Sequence, residues 1–172
     1  MKSNGIFFAG LCLAFFLVAC SPGIDRDKFR NAEHAARGVQ GAVSEGVSYQ
    51  RLEELVQRLS GEVAVLQGRA RSEKEKELAK EYSALLAIYR DGLTLWKYHR
   101  EFSGHDFVPK GLIYVGQDVE PIVTKYRLQT ESHIFGPTQQ SWKSISEDSI
   151  QVIWYNAGQQ LKRIGALLRG EG

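Results

Sequence analysis

Residues 72–102 read SEKEKELAKEYSALLAIYRDGLTLWKYHREF, and this stretch decides the fold. Leu78, Tyr82, Leu85, Tyr89, Leu93 and Trp96 step by four and three, which sets them on one face of a helix. Ser72 with Glu75 three residues on is the spacing of a capping box, so the helix opens there. Run to Phe102, it is about 45 Å long at ~1.5 Å per residue. The mixed charges of residues 72–77 suit a solvated helix face. Ser103-Gly104 ends the run.

Upstream, residues 23–108 contain no proline, and two further stripes of helical spacing fill them. Phe29, Ala32, Ala36, Val39 and Val43 define a first helix over about residues 25–45, with Asp25 and Asp27 at its positive end. Leu52, Leu55, Val56, Leu59, Val63 and Leu66 define a second, with Ser48 as its N-cap and Gly61 as a point of bending or interruption. Downstream, Ile150, Ile153, Ala157, Leu161, Ile164 and Leu168 mark a last helix, opened by the Ser144/Glu147 spacing and stopped by Gly170. A shorter helix is expected from Val119 to about Thr130, capped by Asp118 with Pro121 in its first turn. Between these, residues 104–117 hold Gly104, Pro109, Gly111 and Gly116 around Leu112-Ile113-Tyr114-Val115, a loop or a lone strand with no visible partner. Gly136-Pro137 breaks the chain again.

The expected fold is all-α, a four- to five-helix bundle with one irregular segment around 104–117. Gly61 with Gly68, and Gly158 with Gly165, are seven apart, so each pair shares a helix face. Either a neighbouring backbone approaches closely there, or the glycines are merely tolerated at the surface.

The first twenty residues carry an address. Lys2 is a positive leader, Ile6 to Val18 an uncharged apolar stretch, and Leu17-Val18-Ala19-Cys20 closes it. This segment resembles a bacterial lipoprotein signal peptide with its lipobox. The apolar run covers only about 21 Å, short of the ~30 Å of a bilayer core. Leu17 is too bulky for the A-x-A pattern of an ordinary secretory signal. The resemblance implies cleavage before Cys20 and attachment of acyl chains to its thiol. Two or more chains give stable anchoring where one is marginal. It also implies, through Ser21 in place of aspartate and in a host with two membranes, the periplasmic face of the outer membrane. The expected organisation is a signal peptide at 1–19, a lipidated cysteine and short tether at 20–24, and a helical-bundle domain at 25–170. A five-residue tether reaches about 17 Å at most, so the domain sits close to the lipid.

Removing residues 1–19 from the 172 leaves 153, enough for one core without staples. No disulfide is available, because Cys12 leaves with the signal and Cys20 carries lipid. Without Lys2 the 21 basic residues face 20 acidic ones. No basic block marks a nucleic-acid partner, and net charge alone gives only weak attraction to a membrane.

Few residues carry candidate chemistry. His99, Glu101, His105 and Asp106 cluster where the third helix ends, and imidazole and carboxylate suit zinc or iron. Helix neighbours on one face are three or four apart, so His99 and Glu101 point apart, and His105 follows Gly104 in a loop. The commoner role of such residues is to meet water and the last carbonyls at a helix end. His34 lies on the first helix and His133 in a connection. No G-x-S-x-G elbow, phosphate loop, dinucleotide fingerprint, C-x-x-C or H-E-x-x-H occurs. Tyr89, Trp96, Tyr98, Phe102 and Phe107 crowd one end of the third helix, with Trp142 and Trp154 near or in the last. Tyr89 and Trp96 belong to the buried stripe; Trp142 is the better candidate for exposure and binding.

These features point first to a non-catalytic interaction or accessory subunit of the cell envelope, held to the bilayer by acyl chains on Cys20. No cofactor, metal or catalytic residue is expected. An alternative is a binding module for an apolar or envelope-derived small molecule. A third reading, a metal-dependent enzyme, would centre on His99, His105 and Asp106.

Overall fold

The computed structural model describes residues 24–102 and 108–171. The signal peptide, Cys20 and the tether up to Gly23 lie outside the described residues, as do His105, Asp106 and Phe107.

Four long helices form where the stripes place them: α1 (Arg26–Glu45), α2 (Tyr49–Arg69), α3 (Glu73–Phe102) and, last in the chain, α5 (Ser149–Arg169). The caps expected at Ser48, at Ser72 with Glu75 and at Gly170 form, and Asp25 and Gly46 cap α1. Asp25 accepts from the Asp27 N–H, and Ser48 accepts from the Arg51 N–H at 3.3 Å. In the capping box at α3, the Glu75 N–H donates to Ser72 Oγ at 3.2 Å and the Ser72 N–H to Glu75 Oε2 at 3.3 Å. Gly46 and Gly170 close α1 and α5 in the left-handed region, at φ 69° and 81°. Gly61 does not interrupt α2, which continues through it.

The helices run up, down, up, down. Lys28 pairs with Glu75, so α1 and α3 begin at one end. Gly92 meets Trp154 while His99 meets Glu147, so α3 and α5 are antiparallel. Phe29, Leu52, Leu59, Leu85, Tyr89, Ile153 and Ile164 fill the shared core, none of them more than 1% exposed.

The all-α expectation fails between residues 112 and 146. Three strands, β1 (Leu112–Tyr114), β2 (Glu131–Phe135) and β3 (Gln140–Ser146), form an antiparallel sheet in the order β1-β3-β2. Leu112-Ile113-Tyr114 has a partner after all, pairing with Ser146, Ile145 and Ser144. Gly136-Pro137 is a hairpin turn rather than a plain break, with Gln139 at φ 57° donating its N–H to the Phe135 carbonyl at 2.8 Å. Ile113 and Ile145 face the core with the helices, and that fastens the sheet to the bundle.

Two expected caps are displaced by this sheet. Ser144 lies inside β3, fully buried, and α5 begins five residues later behind Asp148. Asp118 does not cap the short helix α4 (Glu120–Tyr126), whose N-cap is Val119; it accepts from the Tyr98 hydroxyl at 3.1 Å. α4 stops four residues before Thr130, because Arg127 turns left-handed at φ 53° and the Leu128 N–H closes back on the Val123 carbonyl.

The glycine pairs also resolve. A Cβ on Gly61 or Gly68 would meet nothing within 4 Å, and at Gly158 and Gly165 it would make only ordinary contacts. Close approach occurs instead at Gly92, where a Cβ would lie 2.1 Å from the Trp154 ring. The indole fills the space that a side chain would take, and so draws α5 onto α3.

Candidate functional site

The sheet sits at the end of the bundle where α3 finishes and α5 begins, opposite the start of α1. Two features share this far end: a cleft between helices, and an exposed hairpin.

The cleft has a volume of about 330 Å³ and runs from the end of α1 to the start of α5. Val43, Val47, Ile150, Trp96 and Trp154 give it apolar walls, while His99, Glu147, Asp148 and Gln151 supply polar groups. His99 Nε2 lies 3.0 Å from Glu147 Oε2, and both side chains reach solvent. Trp96 is half-buried rather than buried, and rests edge-on against Tyr49 with ring centres 5.9 Å apart. The Arg100 guanidinium lies over the same Tyr49 ring, 4.9 Å from its centre. Burial, reinforced by Glu53, raises the Tyr49 hydroxyl above its ordinary pKa.

His99 therefore has a carboxylate partner, and it is Glu147, a residue 48 positions away. Glu101 points elsewhere, toward Lys97 one turn back on its own helix at 3.7 Å. Among the described residues no three His, Cys, Asp or Glu side chains gather as metal ligands. His34 is exposed on α1. A single imidazole–carboxylate contact therefore lines the open cleft. Asp148 also lines the cleft, and no serine, threonine, cysteine or lysine stands among its lining residues.

Beside the cleft, a row of aromatic rings runs from the end of α3 onto the sheet. Tyr98 to Phe102 is 5.5 Å between centres, Phe102 to Tyr114 5.1 Å, and Tyr114 to Trp142 6.0 Å. His133 then stacks on Trp142 at 4.2 Å, its cross-strand neighbour in the β2–β3 register. Trp142 is thus half-buried in a row of rings, not the free surface residue that its position suggested. His133 Nε2 is hydrogen-bonded to Ser144 Oγ at 2.8 Å. That serine is 0% exposed, so no substrate reaches its oxygen and the pair serves the sheet.

The hairpin tip behaves differently. Ile134 is 70% exposed and Phe135 is 37% exposed, just before the turn. Among the described residues β2 has a strand neighbour on one side only, which makes it an edge strand. Apolar side chains and an open edge are the two features by which a sheet accepts another strand. The sequence does hold a signal for this site, an Ile-Phe pair against a Gly-Pro turn, but it stands out only once β2 is known. Val152 and Tyr155, the latter 67% exposed, form a second apolar spot on α5.

No described helix is long and apolar enough to cross a membrane. Comparisons with family models, with curated proteins and with solved structures find no match.

Proposed function

We propose that this chain is a membrane-anchored lipoprotein of the cell envelope, a non-catalytic interaction or accessory subunit that captures a partner protein at its far end. In this reading acyl chains on Cys20 hold the start of α1 at the bilayer, on the periplasmic face of the outer membrane. The β2–β3 hairpin is then presented away from the lipid, one bundle length off. The observation that carries the reading is the Ile134–Phe135 pair, exposed on an edge strand with neither lysine nor proline within Glu131–Phe135 to guard it. A partner strand added to β2 would satisfy the edge and cover both side chains.

A photo-cross-linking residue at position 134, introduced in cells, should capture one discrete envelope protein. The same residue at Val65, exposed on α2, should not. Ile134→Asp or Ser132→Pro should abolish recovery of that protein with the chain. Equal capture from both positions, or recovery unchanged by either substitution, overturns the proposal.

The cleft beside Trp96 and Trp154 supports a second reading, a module for a small apolar ligand. Its size falls at the low end of the ~300–1,000 Å³ of ligand pockets. Native mass spectrometry of protein released in mild detergent should then show a co-purifying mass, lost in Trp96→Ala. A spectrum without it removes this reading.

A further inference from the structure

Net charge hides how the cations are distributed. Arg26, Arg69, Arg71 and Lys74 all lie at the end of the bundle where α1 starts, α2 stops and α3 starts. All four are exposed, and none has an ion-pair partner among the described residues. Four further cations at this end are matched: Lys28 with Glu75, Arg30 with Asp27, Lys76 with Glu73 and Arg169 with Glu171. Only Asp25 and Glu77 are left to offset the free four. Between Arg26 and Lys74 opens a cleft of about 430 Å³ floored by Ile24, Leu78, Leu167 and Leu168. Apolar surface framed by free cations is complementary to a layer that is anionic outside and hydrocarbon beneath.

We propose that this end of the bundle docks directly on an anionic bilayer, with Arg26, Arg69, Arg71 and Lys74 against lipid phosphates. The proposal rests on the membrane-anchor reading for its biological setting. Ile24 is four residues from Cys20, and four extended residues span no more than about 14 Å, so an anchored chain keeps these cations within reach of the headgroups. Docking then converts a loose lipid leash into a fixed orientation, with the sheet pointing away from the surface. Each cation near an anionic surface multiplies partitioning roughly five-fold, and this gain is screened by salt.

The test uses the chain from residue 20 onward with Cys20→Ser, which retains every core residue and carries no lipid. It is sedimented with sucrose-loaded vesicles, either pure phosphatidylcholine or with one-third phosphatidylglycerol, at millimolar lipid and low salt. Binding is expected only to the second kind, and it should vanish in 0.5 M salt. Arg71→Gln with Lys74→Gln should weaken it roughly 30-fold, whereas Lys97→Gln with Lys110→Gln at the far end should leave it unchanged. Inorganic phosphate at matched ionic strength should not compete; if it does, the site is one for free phosphate and the proposal fails. Equal binding to both vesicles, no binding, or an equal loss in the far-end variant also overturns it. None of these outcomes depends on acylation, so failure here and failure of palmitate to label Cys20 are separate results.

Discussion

Gly92→Ala tests the packing that holds the sheet end together. The added methyl would lie 2.1 Å from two carbons of the Trp154 ring, where ordinary contact begins near 3.4 Å. The indole must therefore retreat by more than about 1 Å. It has little room, being 9% exposed and packed on Tyr89 with ring centres 6.4 Å apart. Overpacking of this kind costs about 1–3 kcal/mol. Expelling the ring altogether would expose ~150–250 Å², near 5 kcal/mol at ~25 cal/mol per Å². Alanine returns about 1 kcal/mol of helix propensity. With a displacement of more than about 1 Å and little room for it, the cost lies at the upper end, ~3 kcal/mol, so the net loss should be about 2 kcal/mol, a fall of roughly 4–8 °C in Tm for a domain of this size. Urea unfolding followed by tryptophan fluorescence measures it, with Gly61→Ala and Gly68→Ala as controls. Those two positions are open, so alanine should stabilise there by as much as ~1 kcal/mol each. A Gly92→Ala protein as stable as its parent, or stabilised like the controls, would refute the reasoning.

Other substitutions separate the polar contributions. The Tyr82 hydroxyl is buried with no hydrogen-bond partner among the described residues, whereas Tyr89 donates to Gln40 Oε1 at 2.9 Å. Tyr82→Phe should therefore be neutral or stabilising by ~1 kcal/mol and Tyr89→Phe destabilising by a similar amount, both read from urea midpoints. Glu75 is held down to a pKa of about 2, chiefly by the hydrogen bond from Lys28 and then by the Arg71 N–H. A depressed folded-state pKa stabilises above the unfolded value near 4.5, and that stability is lost as pH falls toward 2. The full shift corresponds to about 3 kcal/mol, and solvent screening at the part-exposed Lys28 brings the expectation nearer 2. Glu75→Gln should cost that much at pH 7 and almost nothing at pH 2, in chemical melts across the range. Ile134→Asp should leave the melting curve within ~0.5 kcal/mol of the parent, since its side chain is open to water, while removing the partner.

The helices were legible because two signals agree in each. Apolar steps of three and four mark a buried face, and Asp25, Ser48, Ser72 and Gly170 mark the ends. The sheet was not. β3 reads QSWKSIS, and only its Ile145 and the half-buried Trp142 are apolar, so a two-residue period barely registers. Its Ser144 and Glu147 also mimic a capping box, and that pattern of two residues was outweighed by the strand pairing with Tyr114. β1 found a partner some 30 residues on, a distance at which local pattern is silent.

The far-end site was half visible for the same reason. His99 stood out by residue type, while Glu147 reaches it only because α5 returns along α3. Nothing in the local sequence singles out Gly92, and only Trp154 on another helix explains it. Ile134 and Phe135 gained meaning when β2 proved to be an edge strand. Conversely, the charge balance that argued against membrane attraction is an average, and it conceals four exposed cations, without ion pairs among the described residues, that share one end of the bundle.

The central claim is the covalent anchor on Cys20. Metabolic labelling with radioactive palmitate, followed by membrane fractionation of the wild-type chain and its Cys20→Ser variant, tests it most directly. The account predicts label in the wild-type protein within the outer-membrane fraction, and none in the variant, which stays uncleaved. Wild-type protein that takes up no label, or a variant that matures and fractionates like it, would contradict the account.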